Sequence, residues 1–266
     1  MSEQSKIFEI KLGEATDGAV KILLDYSNLS QKFIGSHLEQ GVPYEGELFA
    51  LMLKKLKRGD TFLDIGAHVG FFSMIAAKLV GDDGEVYSFE MNPDNYSMLA
   101  MNTSLNNFRN IRPHNWAVSN DSGPVQFWVN QDNDGGHSLW DCGRHNFNEK
   151  SRLSPKKMVS YSIALDHYDS FDKVHFIKMD VEGAEVLALN GMIDLLKKNL
   201  PIVALEINNF GLAQMGHSYQ DIRALMNKIG YRCWLIEGGD PREIPMDEEP
   251  KFEHVYNLCF STEDII

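Results

Sequence analysis

The chain has 266 residues, 43% of them hydrophobic, enough to build one large α/β domain or two small ones, of which one domain is the simpler reading. A formal charge of -13, from 38 acidic and 25 basic residues, argues against nucleic-acid phosphates or an anionic membrane surface as partners and favours a small molecule or carbohydrate. Cys142, Cys233 and Cys259 are far apart, odd in number and without CxxC spacing, which indicates neither a disulfide framework nor a zinc site.

The start, MSEQSKIFEI, has no basic segment followed by an apolar run, and no stretch approaches the roughly 20 apolar residues that cross a bilayer, so a cytoplasmic protein without a membrane span is expected. Residues 7–24 hold two strand-like runs, IFEIKL and AVKILL, separated by residues 13–18, which predicts a β-hairpin extension over 1–43 ahead of a main domain over 44–266. Apolar residues at 44, 48, 51, 52 and 56 follow a helical period that Gly59 closes. A strand over 61–64, a glycine loop and a helix over 71–79, apolar nearly all round and therefore buried, come next. A strand over 85–90, a helix opened by Asn92-Pro93 and a strand over 111–117 complete a βαβαβ half.

Residues 130–160 break the pattern, being polar, glycine-containing and longer than an ordinary connection, and are predicted to form a substrate lid. Beyond them come a strand over 174–180, a helix over 184–196 and a strand over 202–207. Ile222, Leu225, Met226 and Ile229 then mark an amphipathic helix that leads through Gly230 into a strand over 231–236, and a last strand spans 254–260. Short β-rich runs that alternate with helical ones predict an α/β fold, a mostly parallel sheet of about seven strands with helices on both faces.

The chemistry concentrates in three places. In Asp64-Ile65-Gly66-Ala67-His68-Val69-Gly70 the glycines allow a sharp turn and close approach to a ligand, and the following helix offers unpaired N–H groups. A dinucleotide fold wants G-x-G-x-x-G, but His68 occupies the second glycine position and disfavours NAD; no G-x-x-x-x-G-K-[ST] is present for a triphosphate. Glu90, about 20 residues on at a strand tip, suits the hydroxyls of a ribose. Asp180, Glu182 and Glu185 crowd the end of another strand, where ligands lie in open parallel sheets; Glu185 reads equally well as a helix N-terminal charge.

DIGAHVGFFS, YSFEMNPDNYSMLAMN, NWAVSN, IALDHY and FIKMDVEGAEVLALNG, in that order over about residues 45–207, resemble the FkbM family of methyltransferases. The resemblance implies a class I methyltransferase sheet with its last strand antiparallel, S-adenosylmethionine as cofactor, and O-methylation of a sugar, glycan or natural-product hydroxyl. It places Asp64, Gly66, Ala67 and Gly70, with His68 in the same loop, around the methionine end of the cofactor. Glu90 takes the ribose, with Asn92 and Asn95 near it and Met91 where the family commonly has proline. Ala117, beside Trp116 and Val118, faces the adenine.

On this reading Asp180, at the tip of its strand beside the transferable methyl group, orients and deprotonates the acceptor hydroxyl, alone or with Glu182, so it counts among both the cofactor-side and the catalytic residues. His137, in a loop expected to be mobile, is a second candidate base. A Mg²⁺ route through Asp180, Glu206 and Asn208 is the less favoured alternative. Trp128, Trp140 and Tyr161 are aromatic candidates for stacking on a sugar ring, although such residues more often pack. The rival readings are a nicotinamide-dependent oxidoreductase on the same sheet and a non-catalytic cofactor-binding module.

Overall fold

A computed structural model of the chain describes residues 4–13, 16, 18–238, 240–246, 248, 250 and 255–265. β1 (Ser5–Lys11) and β2 (Ala19–Asp25) pair antiparallel as the expected hairpin, with Ser5 opposite Asp25. Val20, Ile22 and Leu24 are buried on β2, and α1 (Leu29–Glu39) and α2 (Gly46–Lys55) follow. The hairpin is docked by a side chain that mimics a strand. The amide of fully buried Asn102 accepts from Leu23 N at 2.7 Å and donates to Leu23 O at 3.2 Å and Val69 O at 2.9 Å.

The main domain runs β3 (Thr61–Ile65), α3 (Phe71–Val80), β4 (Glu85–Phe89), α4 (Pro93–Leu105) and β5 (Ile111–His114). Pro93 sits in the first turn of α4, capped by Asn92 Oδ1, which accepts from Asp94 N and Asn95 N. Next come β6 (Trp116–Val118), β7 (Gly123–Val129), α5 (Glu149–Leu153), β8 (Lys156–Ile163), β9 (Phe176–Met179), α6 (Glu185–Asn190), α7 (Ile193–Asn199) and β10 (Ile202–Ile207). α8 (Asn209–Gln214), α9 (Tyr219–Lys228), β11 (Arg232–Leu235), β12 (Arg242–Glu243) and β13 (Tyr256–Ser261) end the chain.

The large sheet has the order β12-β11-β13-β10-β9-β3-β4-β5. The pairs β3–β4, β4–β5, β3–β9 and β9–β10 are parallel, and β13 runs antiparallel to both its neighbours. Successive residues of the central strands are buried on opposite faces, which is why those strands read as unbroken apolar runs. Phe62, Phe176 and Val86 pack with Phe72 and Ile75 on one side. Leu63, Ile177 and Leu205 pack with Leu189, Ile222 and Met226 on the other.

Four expectations change. The predicted strand over 111–117 is two strands. Asn115 stands at the break, its Nδ2 donating to Glu90 O and Met91 O, and β6 leaves the main sheet to join a three-stranded sheet of order β6-β8-β7. The predicted helix over 184–196 divides at Gly191, where a Cβ would stand 2.0 Å from Ser119 O, so the chain turns where the two segments touch. Residues 156–160 belong to β8 rather than to a loop, and α1 is an element that the apolar pattern did not single out. The strand predicted over 254–260 is present as β13, with His254 outside the described residues.

Candidate active site

The chain reverses its direction of travel across the sheet between β3 and β9, whose carboxyl ends lie side by side. Ligands of open α/β sheets bind at such a switch point, and here a cavity of about 630 Å³ opens. The β3–α3 loop forms one wall. Gly66 has φ +77°, and a Cβ on it would stand 1.8 Å from Asp180 O, so glycine alone lets the loop press against the end of β9. Gly66 N and Ala67 N both donate to Phe89 O at 2.9 Å.

His68 also adopts a left-handed backbone, φ 51°, which for a residue with a Cβ costs about 1–3 kcal/mol. Two contacts hold it there: its N–H donates to Glu90 Oε2 at 2.8 Å, and its Nε2 lies 2.7 Å from Asp134 Oδ2. Gly66, Ala67 and His68 line the cavity. Asp64 and Gly70, expected beside them, do not. Asp64 is fully buried beneath the loop, its Oδ2 accepting from Ser73 Oγ at 2.5 Å, and Gly70 caps α3 with Leu99 against its Cα. Both shape the loop from behind.

Glu90 is buried at the tip of β4, with Oε1 accepting from Asn92 N at 2.7 Å and Oε2 from His68 N. Each oxygen keeps lone-pair capacity toward the cavity, and burial raises the carboxyl above its usual range. Met91, Asn95, Trp116 and Ala117 line the same side. The Asn95 amide is committed to Asp134 O at 2.7 Å, and Trp116 stacks on His114 with ring centroids 4.6 Å apart.

The opposite wall is acidic. Asp180 follows β9, and its Oδ2 lies 3.5 Å from Lys178 Nζ. Lys178 is buried on the strand, donates to Gly66 O at 3.4 Å, and lies 5.6 Å from the centre of the Phe72 ring. Burial lowers the lysine pKa, but Asp180, Asp64, Glu45 and Glu206 outweigh it and hold the ammonium above its ordinary value. Glu182 has φ 53° and accepts from Asn208 Nδ2 at 2.8 Å through Oε2. Burial and the neighbouring Asp180 push its carboxyl up to about 8. Glu206, raised by burial and then Asp180, also faces the cavity, as does Asn208. Glu185 lies beneath the loop, its Oε1 accepting from Gly183 N at 3.1 Å. Among the described residues, no group of three His, Cys, Asp or Glu side chains is placed to hold a metal ion.

The insertion after β7 covers the cavity and is stapled down. Asp132 accepts from Lys150 N, Ser151 N and Ser151 Oγ. Asp134 accepts from Ser30 N and Gln31 Nε2 and meets His68. Burial raises Asp134, and these hydrogen bonds more than offset it, leaving its carboxyl below the usual range. Trp140 Nε1 donates to Glu182 O at 2.6 Å, and Trp140 alone of the three candidate stacking aromatics lines the cavity. Trp128 lies under Lys157, and Tyr161 pairs with Trp116 across β8 and β6.

His137 corrects the expectation of a mobile base. It is only 9% exposed, and its Nδ1 accepts from Asn130 N at 3.0 Å. Burial and the nearby His68 push its pKa down to about 4. A neutral imidazole whose Nδ1 accepts carries its proton on Nε2, so His137 offers the cavity a donor and no basic lone pair.

The loop, the glutamate and the aspartate therefore converge in one cavity. Lys178, Asp134 and Glu45 were not anticipated. A lysine in the otherwise apolar Phe176–Met179, two residues before Asp180 and so on the same strand face, was a signal for the first; nothing local marks Asp134, whose carboxylate finds its partners over 60 residues away.

Seven strands in the order β11-β13-β10-β9-β3-β4-β5, the last in sequence reversed between its neighbours, with a glycine loop and acidic strand tips at the switch point, define a class I methyltransferase fold. The FkbM methyltransferase domain matches residues 64–233, and the chain belongs to that family. Similar solved structures include the methyltransferase FkbM from Methylobacillus flagellatus KT, with 16% identity over 81% of this chain and 53% of that one and a TM-score of 0.47. This chain thus spans about half the length of the Methylobacillus protein. An S-adenosylmethionine-dependent O-methyltransferase from Thermotoga maritima has 13% identity over 93% of this chain and 76% of that one, TM-score 0.43. Aeropyrum pernix fibrillarin with natively bound S-adenosyl-L-methionine has 16% identity over 81% and 74%, TM-score 0.42. No curated protein sequence matches the chain.

Proposed function

We propose that the protein is an S-adenosylmethionine-dependent O-methyltransferase that acts on a hydroxyl of a sugar, glycan or natural product. The observation that carries this reading is the meeting, in one cavity, of the Gly66–His68 loop, the Glu90 carboxylate with free acceptor capacity, and Asp180 on the facing strand. The donor set suits the cofactor's chemistry. Glu90 would receive the ribose hydroxyls, Ala117 and Trp116 would flank the adenine, and Gly66 and Ala67 would border the methionine end. The acidic wall favours the positive charge of a sulfonium. When bound, the cofactor supplies a methyl group already activated by that sulfonium.

The protein's remaining task is to align the acceptor oxygen and take its proton. Asp180 is the group placed for it, since Lys178 balances its charge without covering its 26% exposed side chain. Glu182, pushed up to about 8, would be protonated near neutral pH and would serve as a hydrogen-bond donor to the acceptor.

The test is a radiolabelled methyl-transfer screen over hydroxylated sugars and metabolites, followed by Asp180→Asn on any acceptor found. Loss of a general base costs about 10²–10⁴ in turnover, with S-adenosylhomocysteine affinity retained. Full turnover in Asp180→Asn would remove the assignment.

A further inference from the structure

The interior of the cavity is mixed, with buried apolar side chains such as Phe72 and Phe89 beside one polar wall. Glu45, Asp180, Glu182, Glu206 and Asn208 make its deep wall polar. The rim holds large apolar side chains turned to water: Leu29 and Phe33 are each 57% exposed, Val255 50% and Phe147 85%. Three separate segments supply them. Leu29 and Phe33 lie four residues apart on α1 and so share a helix face, Phe147 comes from the insertion, and Val255 immediately precedes β13. A single exposed apolar residue is ordinary, but a set gathered at one entrance marks contact with something apolar.

Whatever reaches Asp180 crosses this rim. The cavity, at about 630 Å³, is the size that encloses one drug-sized ligand, and cofactor and acceptor must share it. An acceptor larger than a single ring therefore leaves most of its body at the mouth. The Lys178–Asp180 pair is balanced within itself and Glu182 and Asn208 offer hydrogen bonds, so the deep wall suits an uncharged, hydroxylated head better than one that brings its own charge.

We propose that the acceptor is amphiphilic: an uncharged, hydroxyl-bearing head enters toward Asp180, and an apolar tail or aglycone lies over Leu29, Phe33, Phe147 and Val255. This proposal rests on the methyltransferase reading of the same cavity. Covering rim and tail together removes apolar surface from water on both partners, which is the favourable term that orients the head inward.

The experiment compares octyl β-D-glucopyranoside, below its micellar concentration, with methyl β-D-glucopyranoside. Binding of each to the full chain is measured by titration calorimetry with S-adenosylhomocysteine present. The octyl glycoside should bind at least tenfold more tightly. The double variant Phe33→Ser, Phe147→Ser should lose that advantage, whereas Leu153→Ser, an exposed apolar residue outside the cavity lining, should keep it. Stabilisation of each variant by S-adenosylhomocysteine certifies that it is folded. Equal affinity for the two glycosides, no binding of either, or an octyl advantage that survives the double variant overturns the proposal. So does rim-dependent sedimentation with phosphatidylcholine vesicles without octyl preference, which assigns the rim to a bilayer. Failure to bind S-adenosylhomocysteine sinks the methyltransferase reading instead, and the glycoside comparison is then still read directly.

Discussion

Lys178 holds two parts of the candidate site together, the Gly66 carbonyl of the cofactor loop and the Asp180 carboxylate. Replacing a buried cation by an apolar residue leaves its carboxylate partners uncompensated, a change that costs about 3–5 kcal/mol when the partner is buried too. Asp180 is partly exposed, but Asp64 is not, so Lys178→Met should lose about 3 kcal/mol of stability, read from urea unfolding. Glu185 gives the pH counterpart. Its Oε2 is buried without a hydrogen-bond partner, and burial pushes the carboxyl up to about 7 from its ordinary 4.5. The folded chain therefore holds a proton that the unfolded chain releases between about pH 4.5 and 7. The group's contribution is fully present below about 4.5 and is lost as pH rises through about 7. Glu185→Gln should flatten the decline of stability between pH 5 and pH 8 by about 1–3 kcal/mol, and an unchanged slope would place the titration elsewhere. Gly66, Glu90 and Asp180 were legible in the sequence because spacing along single strands and one loop sets them. The tautomer of His137 was not, because Asn130 N decides it.

The strands and helices of the main sheet follow directly from apolar periodicity, since both faces of β3, β4, β9 and β10 are covered. Many of the elements that escaped have their partners outside the main sheet, and β12, on its edge, is only two residues long and too short to show a pattern. β8 pairs with β6 on one side and with β7 on the other in a half-exposed sheet, so exposed polar residues such as Lys156 and Lys157 interrupt its apolar pattern. α1 shows Leu29 and Phe33 to solvent and carries Gly35, whose missing side chain leaves room for the Tyr26 ring. The insertion looked like a free lid because it is polar. Those polar side chains are instead spent on holding it: Asp134 joins α1 to the cofactor loop through Ser30, Gln31 and His68. Asp134→Ala removes a hydrogen-bonded charge worth about 1.5–3 kcal/mol, so S-adenosylhomocysteine should bind about 10–100-fold more weakly. The segment 131–155 should also become the first site of limited proteolysis. Unchanged affinity together with faster proteolysis would show that the staple serves the insertion without serving the loop.

At the scale of the whole molecule, one topological fact places the chemistry. β3, β4 and β5 extend the sheet in one direction and β9 and β10 in the other, so the loops after β3 and β9 part above the sheet and leave the cleft in which Gly66 and Asp180 face the same space. A ligand in that cleft contacts both halves of the sheet and binds only when both are folded, so it stabilises the entire domain. At a free concentration of 100 times its Kd, such a ligand adds about 2.7 kcal/mol. For a domain of this size each kcal/mol raises the midpoint by about 2–4 °C. S-adenosylhomocysteine at that concentration should thus raise Tm by about 5–11 °C. NADH at equal concentration should leave it unchanged, because His68 stands in the cavity wall at the position where a pyrophosphate needs a glycine. A comparable shift with NADH would return the nicotinamide reading to the front. A shift with neither would mean that the cleft is shaped by the fold alone.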